Sequence, residues 1–141
     1  MSLIIQVFEN YFNFEVLFVL IIAADIGGTN ARFARFETIG SDLRCLKTST
    51  VPSKNHSFIH VVDAAKRSLL TDGAKPDAVC VAAAGIVEAD AIRLTNASMT
   101  VSKKTLSDFF QTKHIFLMND FEAQARASSL PQLRKKFIPL K

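Results

Sequence analysis

Tryptophan is absent from this chain, tyrosine occurs once and cysteine only twice. Each shortage closes off a class of protein. Cys45 and Cys80 lie far apart without Cys-x-x-Cys spacing, which excludes a disulfide framework and a cysteine-based zinc site. A reducing cytoplasm fits that usage. No apolar run is long enough to span a bilayer; the apolar and aromatic first 24 residues are interrupted by Glu9 and Glu15, and no Lys or Arg precedes them. Neither a signal peptide nor a membrane anchor is read there. With five glycines and four prolines there is no low-complexity linker, and no internal repeat. The excess of basic residues, seventeen against thirteen acidic, is small, and its one cluster, Arg134, Lys135 and Lys136, reads as a solvated tail. No nucleic-acid partner is expected. Both common nucleotide fingerprints, G-x-x-x-x-G-K-[ST] and G-x-G-x-x-G, are missing.

What remains is a chain of 141 residues, 49% hydrophobic, suited to one domain with a real core. Residues 1–15 read as an apolar leader of unknown role and 16–141 as a single folded lobe. The unbroken apolar run from Val16 to Ala24 predicts a buried strand, Ala31 to Thr38 and Leu43 to Val51 predict two more, and Gly40-Ser-Asp42 is the turn between them. Phe58, Val61, Val62, Ala65 and Leu69 recur at helical spacing, and Ala78 to Ala84 is a short apolar run suited to a central strand. Gly85 to Thr95 reads as a loop or small hairpin, Val101 to Phe110 as a helix with Ser102 as its cap. His114 to Met118 is another strand, and a last helix from Phe121 to about Ser129 is capped by Asp120. The order β-β-β-α-β-α-β-α predicts an α/β fold: a mixed five-stranded sheet flanked by helices.

Two stretches carry candidate chemistry. In Asp25-Ile-Gly-Gly-Thr-Asn-Ala-Arg-Phe33 an apolar strand runs into an acid, two glycines and two small hydrogen-bonding side chains. That is either a plain two-glycine hairpin or a turn that grips phosphate. In the second reading Gly27 and Gly28 take positive φ and come close to a ligand, while Thr29, Asn30 and exposed backbone N–H groups donate to phosphate oxygens. The other stretch is Leu117-Met-Asn-Asp-Phe-Glu-Ala-Gln-Ala125. Asp120 reads as a helix cap or a general base, and both can hold together because a helix N-terminus stabilises negative charge. Such a base is weak, which phosphoryl transfer tolerates because its transition state is loose. Asp25 ends one strand and Asp120 follows another, so both carboxylates are expected at one sheet edge, where ligands of such folds bind.

Asp25-Ile-Gly-Gly-Thr-Asn-Ala-Arg-Phe-Ala34, Ala84-Gly85, Leu94-Thr-Asn96 and Asn119-Asp-Phe-Glu-Ala123, in that order, resemble the bacterial glucokinase family. The strand order is similar to the ribonuclease H-like lobe of the wider superfamily of sugar kinases, actin and heat-shock chaperones. The resemblance implies a single lobe of a two-lobe sugar kinase that moves the γ-phosphate of ATP to the 6-hydroxyl of glucose. On it, Asp25, Gly27, Gly28, Thr29 and Asn30 would form the first phosphate-binding segment, with Asp25 near the Mg²⁺ of Mg-ATP. Asn119 would hold sugar hydroxyls, Asp120 would be the catalytic base at the sugar, and Asn96 is a further sugar-contact candidate. Two positions depart from the pattern: Ile86 stands where the family has proline, and Met99 where an aromatic residue, commonly Trp, is expected. The family's second lobe, with its Glu and His for the sugar and its adenosine pocket, has no counterpart among the 141 residues. Half a cleft neither excludes water nor aligns two substrates, so this chain alone is expected to be inactive or nearly so.

Weaker signals yield rival readings. Asp25 and Asp120 with Glu88 or Asp90 could form the two-metal cluster of a ribonuclease H-like nuclease, although the glycine turn would then be unexplained. A non-catalytic sugar-binding or assembly lobe is the other alternative. His56 and His60, four apart with Asp63 one turn on, lack a fourth zinc ligand and read as helix-face histidines. Phe8, Phe12, Phe14, Phe18 and Tyr11 point to core packing or self-association. An apolar strand edge near the start, in a lobe without its second half, favours pairing with another copy as a homo-dimer.

Overall fold

The computed structural model describes residues 5–8, 10, 18–39 and 42–129. A five-stranded mixed sheet organises the chain. Strands β1 (Leu20–Ile26), β2 (Asn30–Ile39) and β3 (Asp42–Pro52) form an antiparallel meander, helix α1 (Phe58–Leu69) crosses over, and β4 (Ala78–Ala83) returns parallel to β1. Next comes a small antiparallel sheet of β5 (Gly85–Glu88), β6 (Ala91–Leu94) and β7 (Thr100–Ser102), followed by α2 (Lys103–Phe110). Strand β8 (Ile115–Asn119) then pairs parallel with β4, and α3 (Asp120–Ser129) follows it directly. The main sheet has the order β3-β2-β1-β4-β8. The expected mixed α/β sheet is therefore present.

Strand alternation sorts the core into two layers. Leu20, Ile22, Ala24 and Ile26 of β1 face α1, α2 and the small sheet, where Phe58, Val61, Val62, Ala65, Leu69, Leu106 and Phe110 cover them. The intervening Ile21 and Ala23 face the other side, against Ile5, Val7, Phe8, Phe18 and the α3 residues Ala123 and Ala127. Asp25 belongs to this second face by its parity in β1. Five residues of the apolar leader are thus described, with Ile5, Val7 and Phe8 buried; Tyr11, Phe12 and Phe14 lie outside the described residues. Arg35 of β2, opposite Ile22 on the first face, ties the sheet to the end of α1, donating to Leu69 O (3.1 Å) and to both Asp72 carboxylate oxygens (3.0 Å each). That guanidinium and the Ala74 N–H hold the Asp72 carboxyl down to about 2.

Three expectations need correction. The first strand starts at Leu20 and runs through Asp25 to Ile26, because β2 and β4 both pair with it as far as that residue. It is not an edge: it has a neighbour on either side, and the sheet's edges are β3 and β8. Val101 is a strand residue rather than a helical one, since its backbone pairs with Ile92 and its side chain is buried. Ser102 then caps α2 by accepting from Thr105 N–H at 3.3 Å.

Candidate functional site

Because β1, β4 and β8 are parallel, their carboxyl ends lie at one rim, with Ile26 beside Ala83 and Ala83 beside Asn119. The next residues of each strand therefore meet. Ala84 N–H donates to Ile26 O at 3.2 Å, and Thr95 N–H donates to Ala84 O at 3.2 Å, which brings the 94–96 segment to the rim. Asn119 Nδ2 donates to Gly85 O at 2.6 Å. Gly85 must be glycine here. A Cβ would stand 2.7 Å from the Arg93 carbonyl carbon and 2.9 Å from Ile92 Cγ2, and the antiparallel pairing of β5 with β6 gives neither room to withdraw.

The turn between β1 and β2 is closed by Gly27 N–H donating to Asn30 O at 3.0 Å. Neither Gly27 nor Gly28 has positive φ, contrary to expectation; among the described glycines only Gly73 does. Neither backbone strain nor a steric clash requires glycine at position 28. A Cβ on it would lie 3.5 Å from Asn96 O and 3.8 Å from Asn96 Cβ, so turn and 94–96 segment pass each other in contact. Thr29 and Asn30 are exposed beside them.

Asp25 and Asp120 converge, as the parallel topology requires. Burial, and next the repulsion of Asp120, push the Asp25 carboxyl above the ordinary carboxylate value, while Arg32 pulls it partly back. The α3 cap is Asn119, not Asp120. Asn119 Oδ1 accepts from Phe121 N–H (2.9 Å) and Glu122 N–H (3.2 Å), whereas Asp120 Oδ1 accepts from Phe121 N–H alone (2.8 Å). Asparagine wins because it both caps and donates to Gly85 O, a pair of bonds no carboxylate can make. Asp120 is thereby left half-exposed at the helix start.

Asp25 brings carboxylate oxygens to the rim, a donor set suited to a hard divalent cation. Among the described residues no cluster of three His, Cys, Asp or Glu side chains is placed to hold a metal. Mg²⁺ matches this set, because it is commonly bound by one or two carboxylates with phosphate oxygens completing its shell. Glu88 turns instead to Arg93 at 3.4 Å on the exposed hairpin. His56 and His60 stack at 4.5 Å, and Asp63 pairs with Arg67 at 3.0 Å. Ser53, which gave no sign in the sequence, packs against the turn and is 3% exposed.

Comparison with known proteins identifies the family. The family model described as Glucokinase matches residues 22–140. A Stenotrophomonas maltophilia glucokinase is 38% identical over 79% of this chain, and one from Sinorhizobium fredii is 34% identical over the same share. The chain spans about a third of the length of these curated relatives. Among solved structures, a glucokinase from an Antarctic psychrotroph superposes with a TM-score of 0.63 at 30% identity, covering 79% of this chain and 35% of the other. A ROK family glucokinase from Streptomyces griseus, in complex with glucose and AMPPNP, shares the fold with a TM-score of 0.57 at 24% identity, covering 77% of this chain and 36% of the other. With its family match extending from residue 22 to residue 140, the chain belongs to the glucokinase family.

Proposed function

We propose that this lobe forms one wall of a glucokinase-type site that transfers the γ-phosphate of ATP to the 6-hydroxyl of glucose. One observation carries it: the glycine turn, Asp25, the 94–96 segment and the Asn119-Asp120 pair meet at a single sheet rim. The turn from Gly27 to Asn30 receives the phosphates, Asp25 lies on the side of the metal, and Asp120 accepts the proton of the attacking hydroxyl. Bound Mg²⁺ would neutralise phosphate charge. Asn119 holds Asp120 at the helix start through its cap bonds and its bond to Gly85 O, and keeps one N–H for a sugar hydroxyl. Asn96 flanks Gly28 and is the third sugar contact. The ligands are glucose and Mg-ATP, as the glucose and AMPPNP of the Streptomyces griseus complex support, and the cytoplasm is where both occur together. The 141-residue chain by itself turns over little or nothing.

The test is an isotope-edited titration of the chain. Millimolar Mg-ATP is expected to shift the amides of Gly28, Thr29 and Asn30, and glucose those of Asn96, Asn119 and Asp120. Shifts confined to residues away from this rim would refute the assignment.

A further inference from the structure

Among the described residues Ser53 is the one buried polar residue, and both hydrogen bonds that it donates go to the β1–β2 turn. Its Oγ donates to Gly27 O at 2.6 Å, and its N–H donates to Thr29 O at 2.8 Å. Lys54 N–H supports the second bond at 3.3 Å. A single residue thus takes two carbonyls from a turn of three residues. Its placement is set by β3, whose last residue, Pro52, pairs with Asn30, and by Asn55, whose positive φ of 63° bends the chain away towards α1. The Ser53 carbonyl accepts from His56 N–H at 3.2 Å, which closes that bend.

The chemistry of the turn depends on where its carbonyls point. Carbonyl oxygens and phosphate oxygens are both acceptors and repel, so a backbone turn binds phosphate only when its N–H groups face the ligand and its carbonyls face elsewhere. With Gly27 O and Thr29 O held against Ser53, the N–H groups of Gly28 and Thr29 have no acceptor among the described residues. We infer that Ser53 is a positioning residue that fixes the glycine turn in its phosphate-accepting orientation by sequestering two of its carbonyls. This rests on the reading of the turn as the phosphate-binding segment. Ser53 does not touch the phosphate. Its hydroxyl proton is committed to Gly27 O, so its effect is exerted through the backbone it restrains.

The probe is inorganic tripolyphosphate with Mg²⁺, followed at the Gly28 and Thr29 amides of the 141-residue chain. Ser53→Ala is expected to weaken binding about tenfold, since a buried carbonyl loses its donor and the turn its restraint. Ser53→Thr keeps the hydroxyl and should recover most of the affinity, which a general packing role would not predict. Ser53→Cys, near in size but a feeble donor, serves if the alanine variant unfolds and should also bind weakly. Unchanged affinity in a folded Ser53→Ala or Ser53→Cys chain, with the wild type binding normally, overturns the role of Ser53 alone. Absence of any turn-amide shift in the wild type overturns the phosphate reading and this inference with it.

Discussion

Asp25 sits in β1 on the face shared with α3, with burial and Asp120 both acting against its charge. Its carboxyl therefore binds a proton more readily in the folded chain than in the unfolded one. The linkage has a definite sign: the contribution of Asp25 to stability is greatest at acid pH and declines as pH rises through the interval between the ordinary carboxylate value and the raised one. At neutral pH the folded state carries a part-buried charge that Arg32 offsets only partly. Asp25→Asn should accordingly raise Tm by a few degrees at pH 7 and make no difference near pH 3, where the native carboxyl is already neutral. Mg²⁺ with tripolyphosphate should narrow the gap at pH 7 by stabilising only the wild type. Thermal melts at the two pH values check this; a variant less stable than wild type at pH 7 would show that Arg32 outweighs burial and Asp120 together.

At the scale of elements, Asn119 joins three of them: it ends β8, caps α3 and holds the first residue of β5. Asn119→Ala removes both functions and is expected to lose about 2 kcal/mol, roughly 1 for the cap and 1 for the Gly85 bond. Asn119→Ser keeps a capping oxygen but cannot reach Gly85 O, so its urea midpoint should fall between those of wild type and alanine. A serine variant no more stable than alanine would mean that the cap contributes nothing. The same residue marks the limit of what local pattern reveals. Asn119 and Asp120 are adjacent and both competent to cap, and the choice is made by Gly85 O, thirty-four positions back along the chain. Helix α1, by contrast, is legible because Phe58, Val61, Val62, Ala65 and Leu69 state their spacing locally and are the residues that become buried. Strand β7 is not, since three residues carry no period and become a strand only through pairing with β6.

Across the whole molecule, the site was readable in outline because parallel strands deliver their carboxyl ends to one rim, so acids that follow two apolar runs must converge. Ser53 was unreadable, for a serine after a strand looks like any loop serine until its partners at Gly27 and Thr29 are known. The same topology limits what one lobe achieves. The rim offers donors and carboxylates from a single side, whereas transfer between two substrates requires in-line alignment and exclusion of water from the γ-phosphate. Glucose should therefore not stimulate ADP release by the 141-residue chain above the rate in buffer, even at concentrations that shift the rim amides. Replacing the matching segment of the Stenotrophomonas maltophilia glucokinase with residues 22–129 supplies the missing wall without altering this one. That chimera is expected to regain glucose-dependent turnover, and Asp120→Ala within it to lose about a hundredfold or more in kcat with little change in the KM for ATP. A chimera that folds and turns over equally well without Asp120 would assign the proton to another group. Strong glucose-dependent turnover by the single lobe would show that one wall suffices.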